Sequence, residues 1–118
     1  MDYIFEKKWK ETIDRISEPF GEKLDYAAIL LMIGYQELGL DYRTFKKDEK
    51  ISLMHIAICT LLEPYGFYTY EGRDADGWPH FERVEELPAL EAAEQELLIR
   101  KAIIKYFDET EKLEKASE

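Results

Sequence analysis

The segment YGFYTYEGRDADGWPHFERVEE, residues 65–86, distinguishes a mainly α fold from an all-α one, because the helical periodicity of the preceding chain changes here. Its segments FYTYE and WPHFERV are rich in strand-favouring residues, and RDADG between them has the composition of a turn. The pattern predicts a β-hairpin at 67–84, with strands at 67–72 and 78–84. Pro79 has no backbone N–H to donate, so its strand is expected at a sheet edge.

The register of this hairpin is left open by the sequence. A four-residue turn at 74–77 would place Glu71 opposite His80, whereas a five-residue turn would place Tyr70 there. Because the side-chain period of a strand is two, a shift of one residue exchanges the two faces. Both alternatives remain.

Two amphipathic helices are predicted at the ends of the chain. The stripe of helix 3–17 recurs at four, four and three residues and consists of Phe5, Trp9, Ile13 and Ile16. Pro88 suits the first turn of a helix at 88–107, in which Glu96 and Arg100 can pair. Its main stripe consists of Leu90, Ala93, Leu97, Ile104 and Phe107. The charged tail 108–118 is expected to fray.

Two further helices are expected in the centre, and both are apolar on nearly all sides. Asp25 can cap a helix at 25–38 that ends before Gly39, and Asp48 can cap one at 48–63. Such helices need cover on most of their surface, from the hairpin, from a second subunit, or from both. We therefore predict a single domain over 1–118, mainly α (α+β), in which a four-helix bundle-like arrangement carries a β-hairpin between helices 3 and 4. A homodimer is also predicted.

Composition restricts the compartment and the class of partner. Cys59 is the only cysteine, which excludes an intramolecular disulfide and indicates a reducing compartment. The N-terminus MDYIFEKKWKE lacks the pattern of a signal peptide, and the longest uncharged apolar run, at 26–35, is far shorter than the roughly twenty residues of a membrane span. We expect a soluble, cytoplasmic protein with no membrane partner.

The negative charge is concentrated in one segment. The net charge is −10, and residues 71–96 hold nine acidic side chains against only Arg73 and Arg83. Repulsion from phosphates disfavours nucleic acid as a partner, whereas a basic protein or a cation would be attracted. A solvated surface that keeps the protein soluble is the alternative explanation.

The leading functional hypothesis is a non-catalytic, acidic binding protein that is complementary in charge to a basic protein partner, for example in an immunity-like or inhibitor-like role. The hairpin carries more aromatic area than one face can use, so its rings can cover the core, meet a subunit or partner, or form a small-molecule platform. The candidate binding residues are Tyr68, Tyr70, Asp74, Asp76, Trp78, His80, Glu82, Glu85 and Glu86.

The rival hypothesis is a small metal-dependent hydrolase. His55 and Cys59 lie one helical turn apart, so they can ligate zinc together with His80, or act as base and nucleophile. Glu91 and Glu94 have the spacing of part of the first motif of a paired-carboxylate magnesium site. The second motif is missing, because Lys105 stands three residues before Asp108.

A calcium loop around Asp74 and Asp76 is less favoured than a turn. If Gly77 takes the glycine position of an EF-hand loop, Gly72 and Arg83 fall at two ligand positions. No glycine-rich phosphate loop or hydrolase motif is present, so an enzyme is the less favoured class and no cofactor is predicted. A small-molecule sensor is the third hypothesis.

Overall fold

The computed structural model describes residues 3–40, 43–86 and 90–116. Within them lie the α-helices α1 (Tyr3–Ser17), α2 (Tyr26–Leu38), α3 (Lys47–Leu62) and α4 (Ala92–Ala116), and the strands β1 (Tyr68–Arg73) and β2 (Pro79–Arg83). Short 3-10 turns follow α1 at Glu18–Phe20 and α3 at Glu63–Tyr65. The predicted fold class is confirmed: the protein is mainly α, with an antiparallel hairpin between the third and fourth helices. None of the described helices combines the length and the apolar character needed to cross a bilayer.

The chain forms two compact units. One joins α1 to α4, and the other contains α2, α3 and the hairpin. The single domain over 1–118 stays a prediction.

The unit of α1 and α4 is held by buried apolar side chains and by ion pairs. Trp9 and Ile16 of α1 are buried, as predicted for the α1 stripe, and Ile99 and Ile103 of α4 are buried with them. Arg100 pairs with Glu96 at 3.0 Å, which confirms that prediction.

The predicted fraying of 108–118 is corrected for residues 108–116, which continue α4. Two carboxylates of this extension pair with basic side chains of α1: Asp108 lies 3.2 Å from Lys8, and Glu111 lies 3.0 Å from Arg15. These pairs give the charged segment tertiary partners that its sequence does not reveal. The predicted helix start at Pro88 lies outside the described residues, as do the last two residues of the tail.

The observed ends of α2 agree with the sequence prediction, whereas the observed start of α3 does not. Asp25 accepts a hydrogen bond from the Ala28 N–H at 2.8 Å, so it caps α2, and Gly39 ends the helix with φ +66°. Helix α3 was expected to begin behind Asp48, but its N-cap is Lys46. The reason is that the Glu49 carboxylate accepts a hydrogen bond from the Lys46 N–H at 3.0 Å, which places the N-cap two residues before Asp48.

Helices α2 and α3 approach closely at Gly34. A Cβ atom on Gly34 would lie 2.0 Å from the carbonyl oxygen of Leu53, so only glycine permits this contact. Ile29 and Ile33 of α2 and Leu53 and Leu62 of α3 are fully buried. The apolar side chains of the two central helices are therefore covered largely where α2 and α3 pack against each other.

The hairpin register matches neither predicted alternative. Tyr70 pairs with Phe81 and Gly72 pairs with His80, so Glu71 is an extra residue in β1, a β-bulge. Two remote contacts accompany the bulge. The Tyr70 N–H donates to the Glu63 carboxylate at 2.7 Å, and the Arg73 guanidinium donates to carbonyls at the end of α2.

Candidate functional site

A groove of about 720 Å³ lies between the first half of α3 and the hairpin, both in the same unit. We call it the acidic groove. Its carboxylates and imidazoles are Asp48, Glu49, Asp74, Asp76, His55 and His80. The remaining walls are Ile51, Ser52, Ile56, Trp78, Pro79 and Phe81. The volume falls within the range of about 300–1,000 Å³ that ligand sites occupy.

Helical spacing places the α3 side of the groove. Asp48, Ser52 and His55 follow one another at four and three residues, which puts them on one face of the helix. Ile51 lies on the same face and is 62% exposed, which is unusual for a large apolar side chain in a helix of this unit. This face of α3 is therefore both acidic and apolar.

Asp74 organises the hairpin side. Its Oδ1 atom accepts hydrogen bonds from the N–H groups of Asp76 at 2.9 Å and Trp78 at 3.0 Å, and its Oδ2 atom lies 2.8 Å from His80 Nε2. The hydrogen bond with the His80 side chain, followed by that from the Trp78 N–H, lowers the pKa of the Asp74 carboxyl below its ordinary value. Asp74 is thus an ionised acceptor that holds the loop in shape.

Cys59 does not have the character of a nucleophile. Its Sγ atom lies 3.5 Å from His55 Nε2, so the predicted neighbours do meet. However, Cys59 is fully buried, and burial raises the pKa of its thiol to about 11. The thiol therefore stays protonated at neutral pH, and the His55 ring packs edge-on against Tyr68 at 6.3 Å.

The predicted metal ligands are not gathered together. Among the residues the structure describes, no group of three or more His, Cys, Asp or Glu side chains is arranged to hold a metal ion. Glu91 and Glu94 belong to the unit of α1 and α4, whereas His55, Cys59 and His80 belong to the other. The Glu94 carboxylate instead accepts a hydrogen bond from the Glu91 N–H at 3.4 Å, at the start of α4.

The predicted binding residues separate into three groups. Asp74, Asp76, Trp78 and His80 line the acidic groove. Tyr68 contacts His55, while Tyr70 packs against Phe81 at 5.7 Å and lines a smaller cavity of about 270 Å³. The exposed side chains that line neither cavity are Glu82, Glu85 and Glu86.

Sequence reasoning missed seven of the twelve residues that line the groove. Asp48 and Ile51 could have been found, because they precede the candidate His55 by seven and four residues, which keeps them on its helical face. Glu49, six residues before His55, lies off that face and gave no such signal. Arg43 carried no such signal, since it lies in the irregular segment before α3. Its guanidinium forms an ion pair with Glu49 at 2.6 Å and lies 5.9 Å from the centre of the Trp78 ring.

No family model, curated protein or solved structure matches this chain. The functional argument therefore rests on the chemistry of the acidic groove.

Proposed function

We propose that this protein is a non-catalytic binding protein whose acidic groove receives a basic segment of a protein partner. The observation that carries the proposal is the combination of four carboxylates with half-buried aromatic side chains in one groove. Carboxylates attract a cationic segment, and the apolar side chains provide the contact area that holds it.

The charges of the groove are only partly neutralised. Glu49 forms an ion pair with Arg43, and Asp74 is engaged by a hydrogen bond with His80. Asp48 and Asp76 form no ion pair with any described residue. These two carboxylates are therefore available to an ammonium or guanidinium group, and the net charge of −10 favours the approach of such a partner.

The apolar walls indicate what accompanies the basic groups. Ile51 is 62% exposed, and Trp78 and Phe81 are half-buried on the opposite wall. An exposed apolar side chain gains free energy when a partner covers it. A segment that alternates basic and large apolar side chains fits this groove best, as expected for an immunity-like or inhibitor-like protein that covers a basic partner.

The homodimer and the cytoplasmic location are also proposals. Large apolar side chains that remain exposed support a dimer, among them Ile4, Phe20, Val84 and Leu113. The unpaired Cys59 supports a reducing compartment. Light scattering on the full chain tests the dimer directly, because a monomeric mass at high concentration contradicts it.

A small-molecule sensor is the second candidate, since the groove volume of about 720 Å³ is that of a small-ligand site. The metal-dependent hydrolase receives no such support from the described residues. A sensor would be stabilised against heat by a small ligand, whereas the binding protein responds to a basic peptide.

The decisive experiment is a calorimetric titration of the full chain at low and at high salt. The titrant is a short peptide in which leucine alternates with lysine or arginine. The expected result is binding that weakens steeply with salt. A peptide in which glutamate replaces the basic residues should not bind. Failure of the basic peptide at low salt would overturn the proposal.

Matched variants locate the binding. Asp48→Asn combined with Asp76→Asn should weaken binding about tenfold, since each lost surface pair costs up to about 1 kcal/mol. Glu82→Gln combined with Glu85→Gln changes the net charge equally at exposed positions outside the groove. Equal losses in the two double variants would show that the attraction is general and not a property of the groove.

A further inference from the structure

The guanidinium of Arg43 lies in a cage of aromatic rings and a carboxylate. Its Nη2 atom is 2.6 Å from Glu49 Oε2, and its Cζ atom lies 5.1 Å from the centre of the Phe45 ring and 5.9 Å from that of Trp78. The two rings stand at 89° to each other, with centres 6.2 Å apart. Two ring faces and one carboxylate are the groups that recognise a guanidinium.

The walls of this cage are held by contacts that do not involve Arg43. Phe45 is buried in a cluster with Leu38 and Leu53, against which Trp78 packs. Glu49 is fixed through its other oxygen, Oε1, which accepts the Lys46 N–H at 3.0 Å. The cage is therefore preorganised, and its shape does not depend on the side chain that fills it.

The cage opens onto the acidic groove. The cage lies in a further cavity of about 580 Å³, next to the acidic groove, and this cavity is lined by Leu40, Arg43, Glu49, Asp76 and Trp78. Three of these residues, Glu49, Asp76 and Trp78, also line the acidic groove. The side chain of Arg43 is 52% exposed, so solvent weakens its ion pair and a competing cation can reach the same position.

We propose that this cage is the guanidinium subsite of the acidic groove, filled in the free protein by Arg43 and taken over by an arginine side chain of the partner. The inference rests on the proposed function and specifies it, since it names the side chain that anchors the partner. Arginine suits the cage better than lysine, because a planar guanidinium can stack on a ring while pairing with a carboxylate. Arg43 then acts as a built-in competitor that lowers the apparent affinity of the free protein.

The first test is chemical rescue of the full chain. Arg43→Ala should lower the melting temperature, and millimolar N-acetyl-arginine amide should restore part of the loss, whereas N-acetyl-lysine amide should not. The wild-type protein, whose cage is filled, should gain less from the arginine compound. Arg43→Gln serves as a second variant if Arg43→Ala does not fold. Absence of rescue in a folded variant would overturn the inference.

The second test uses affinity for an arginine-leucine peptide. Arg43→Ala should bind it at least fivefold more tightly than the wild type. Lys47→Ala removes the same charge from an exposed position outside both cavities, and its gain should stay below twofold. An equal gain in affinity in both variants would show that removing any positive charge strengthens binding. That result would overturn the inference, while the proposed function would stand.

The two failures are distinguishable. If the peptide binds neither the wild type nor Arg43→Ala, but N-acetyl-arginine amide rescues Arg43→Ala, the cage is an arginine subsite and the proposed basic protein partner is wrong. If the peptide binds the wild type through Asp48 and Asp76 but Arg43→Ala shows neither rescue nor tighter binding, the groove is confirmed and the subsite is wrong.

Discussion

The Arg73 guanidinium donates a hydrogen bond to the main-chain carbonyl of Leu38 at 2.6 Å, across 35 positions of sequence. The same group donates to the carbonyls of Glu37 at 3.0 Å and Gly77 at 2.7 Å. The last carbonyls of a helix have no partner within the helix, so Arg73 completes α2 and fixes the hairpin loop to it. The contact with Gly77 lies one residue before Trp78 of the acidic groove.

Replacing Arg73 should destabilise the unit of α2, α3 and the hairpin. We expect Arg73→Ala to lower the free energy of unfolding by about 1–3 kcal/mol, because three carbonyls lose a charged donor. Arg73→Lys should recover only part of this, since an ammonium lacks the forked geometry. Urea denaturation measures both. Arg83→Ala, in the partner strand, is the control, and an equal loss there would contradict the anchoring role.

Gly34→Ala tests the close approach of α2 and α3. In an exposed helix this substitution stabilises by about 1 kcal/mol, because alanine is the better helix former. Here the added Cβ would lie 2.0 Å from the Leu53 carbonyl oxygen, so we expect a loss of at least about 2 kcal/mol as the helices separate. The sign of the change in a thermal melt decides between the two outcomes. A stabilised variant would show that the helices do not meet at Gly34.

Cys59 should be chemically silent in the folded protein. Since its thiol is fully buried and has a pKa of about 11, only about one molecule in a thousand carries a thiolate at pH 8. A thiol-reactive chromogenic reagent should label it only as urea unfolds the protein. Rapid stoichiometric labelling under native conditions would show an accessible thiolate and would revive a catalytic interpretation of His55 and Cys59.

Asp74 should make stability depend on acid pH. Its carboxyl pKa is lowered from 3.8 in the folded state, first by the hydrogen bond with His80. The unfolded chain therefore binds the proton more readily, so this contribution is fully present above pH 3.8 and is lost as the pH falls through the lower, folded value. The melting temperature of the wild type should drop in that acid range, and Asp74→Asn should show a smaller drop.

The control for Asp74 is Asp76→Asn, which removes a carboxylate from the same loop but leaves the hydrogen bonds of Asp74 in place. The drop in its melting temperature at acid pH should be larger than that of Asp74→Asn. If the two variants respond alike, the pH dependence comes from the charge of the loop and not from the hydrogen bonds that Asp74 accepts.

Residue patterns within one turn or one strand were sufficient to predict the elements. The α1 stripe around Trp9, the cap at Asp25, the glycine at Gly39 and the pair of Glu96 with Arg100 all depend on neighbours at most four residues apart. The aromatic segments around RDADG likewise predicted a hairpin because strand and turn composition are local properties.

The sequence failed where a contact joins distant segments. Glu71 is a bulge between Tyr70, whose N–H donates to Glu63, and Gly72, which precedes the anchored Arg73. No count of turn residues includes such contacts. Helix α4 continues past Asp108 because Lys8, far away in sequence, pairs with it. The charged tail alone has the composition of a frayed end.

The fold class, the acidic character of the protein and five of the residues that line the groove could be predicted from sequence alone; these residues are His55, Asp74, Asp76, Trp78 and His80. The tertiary fold was needed to show that Asp48, Glu49 and Ile51 face Asp74 and Trp78, and that Arg43 lies between Glu49 and the aromatic rings. The difference lies in the sequence separation over which the interactions act. Backbone hydrogen bonding and side-chain periodicity act over a few residues, whereas a groove exists only after the hairpin has been fixed against α2 and α3 by buried contacts and by Arg73.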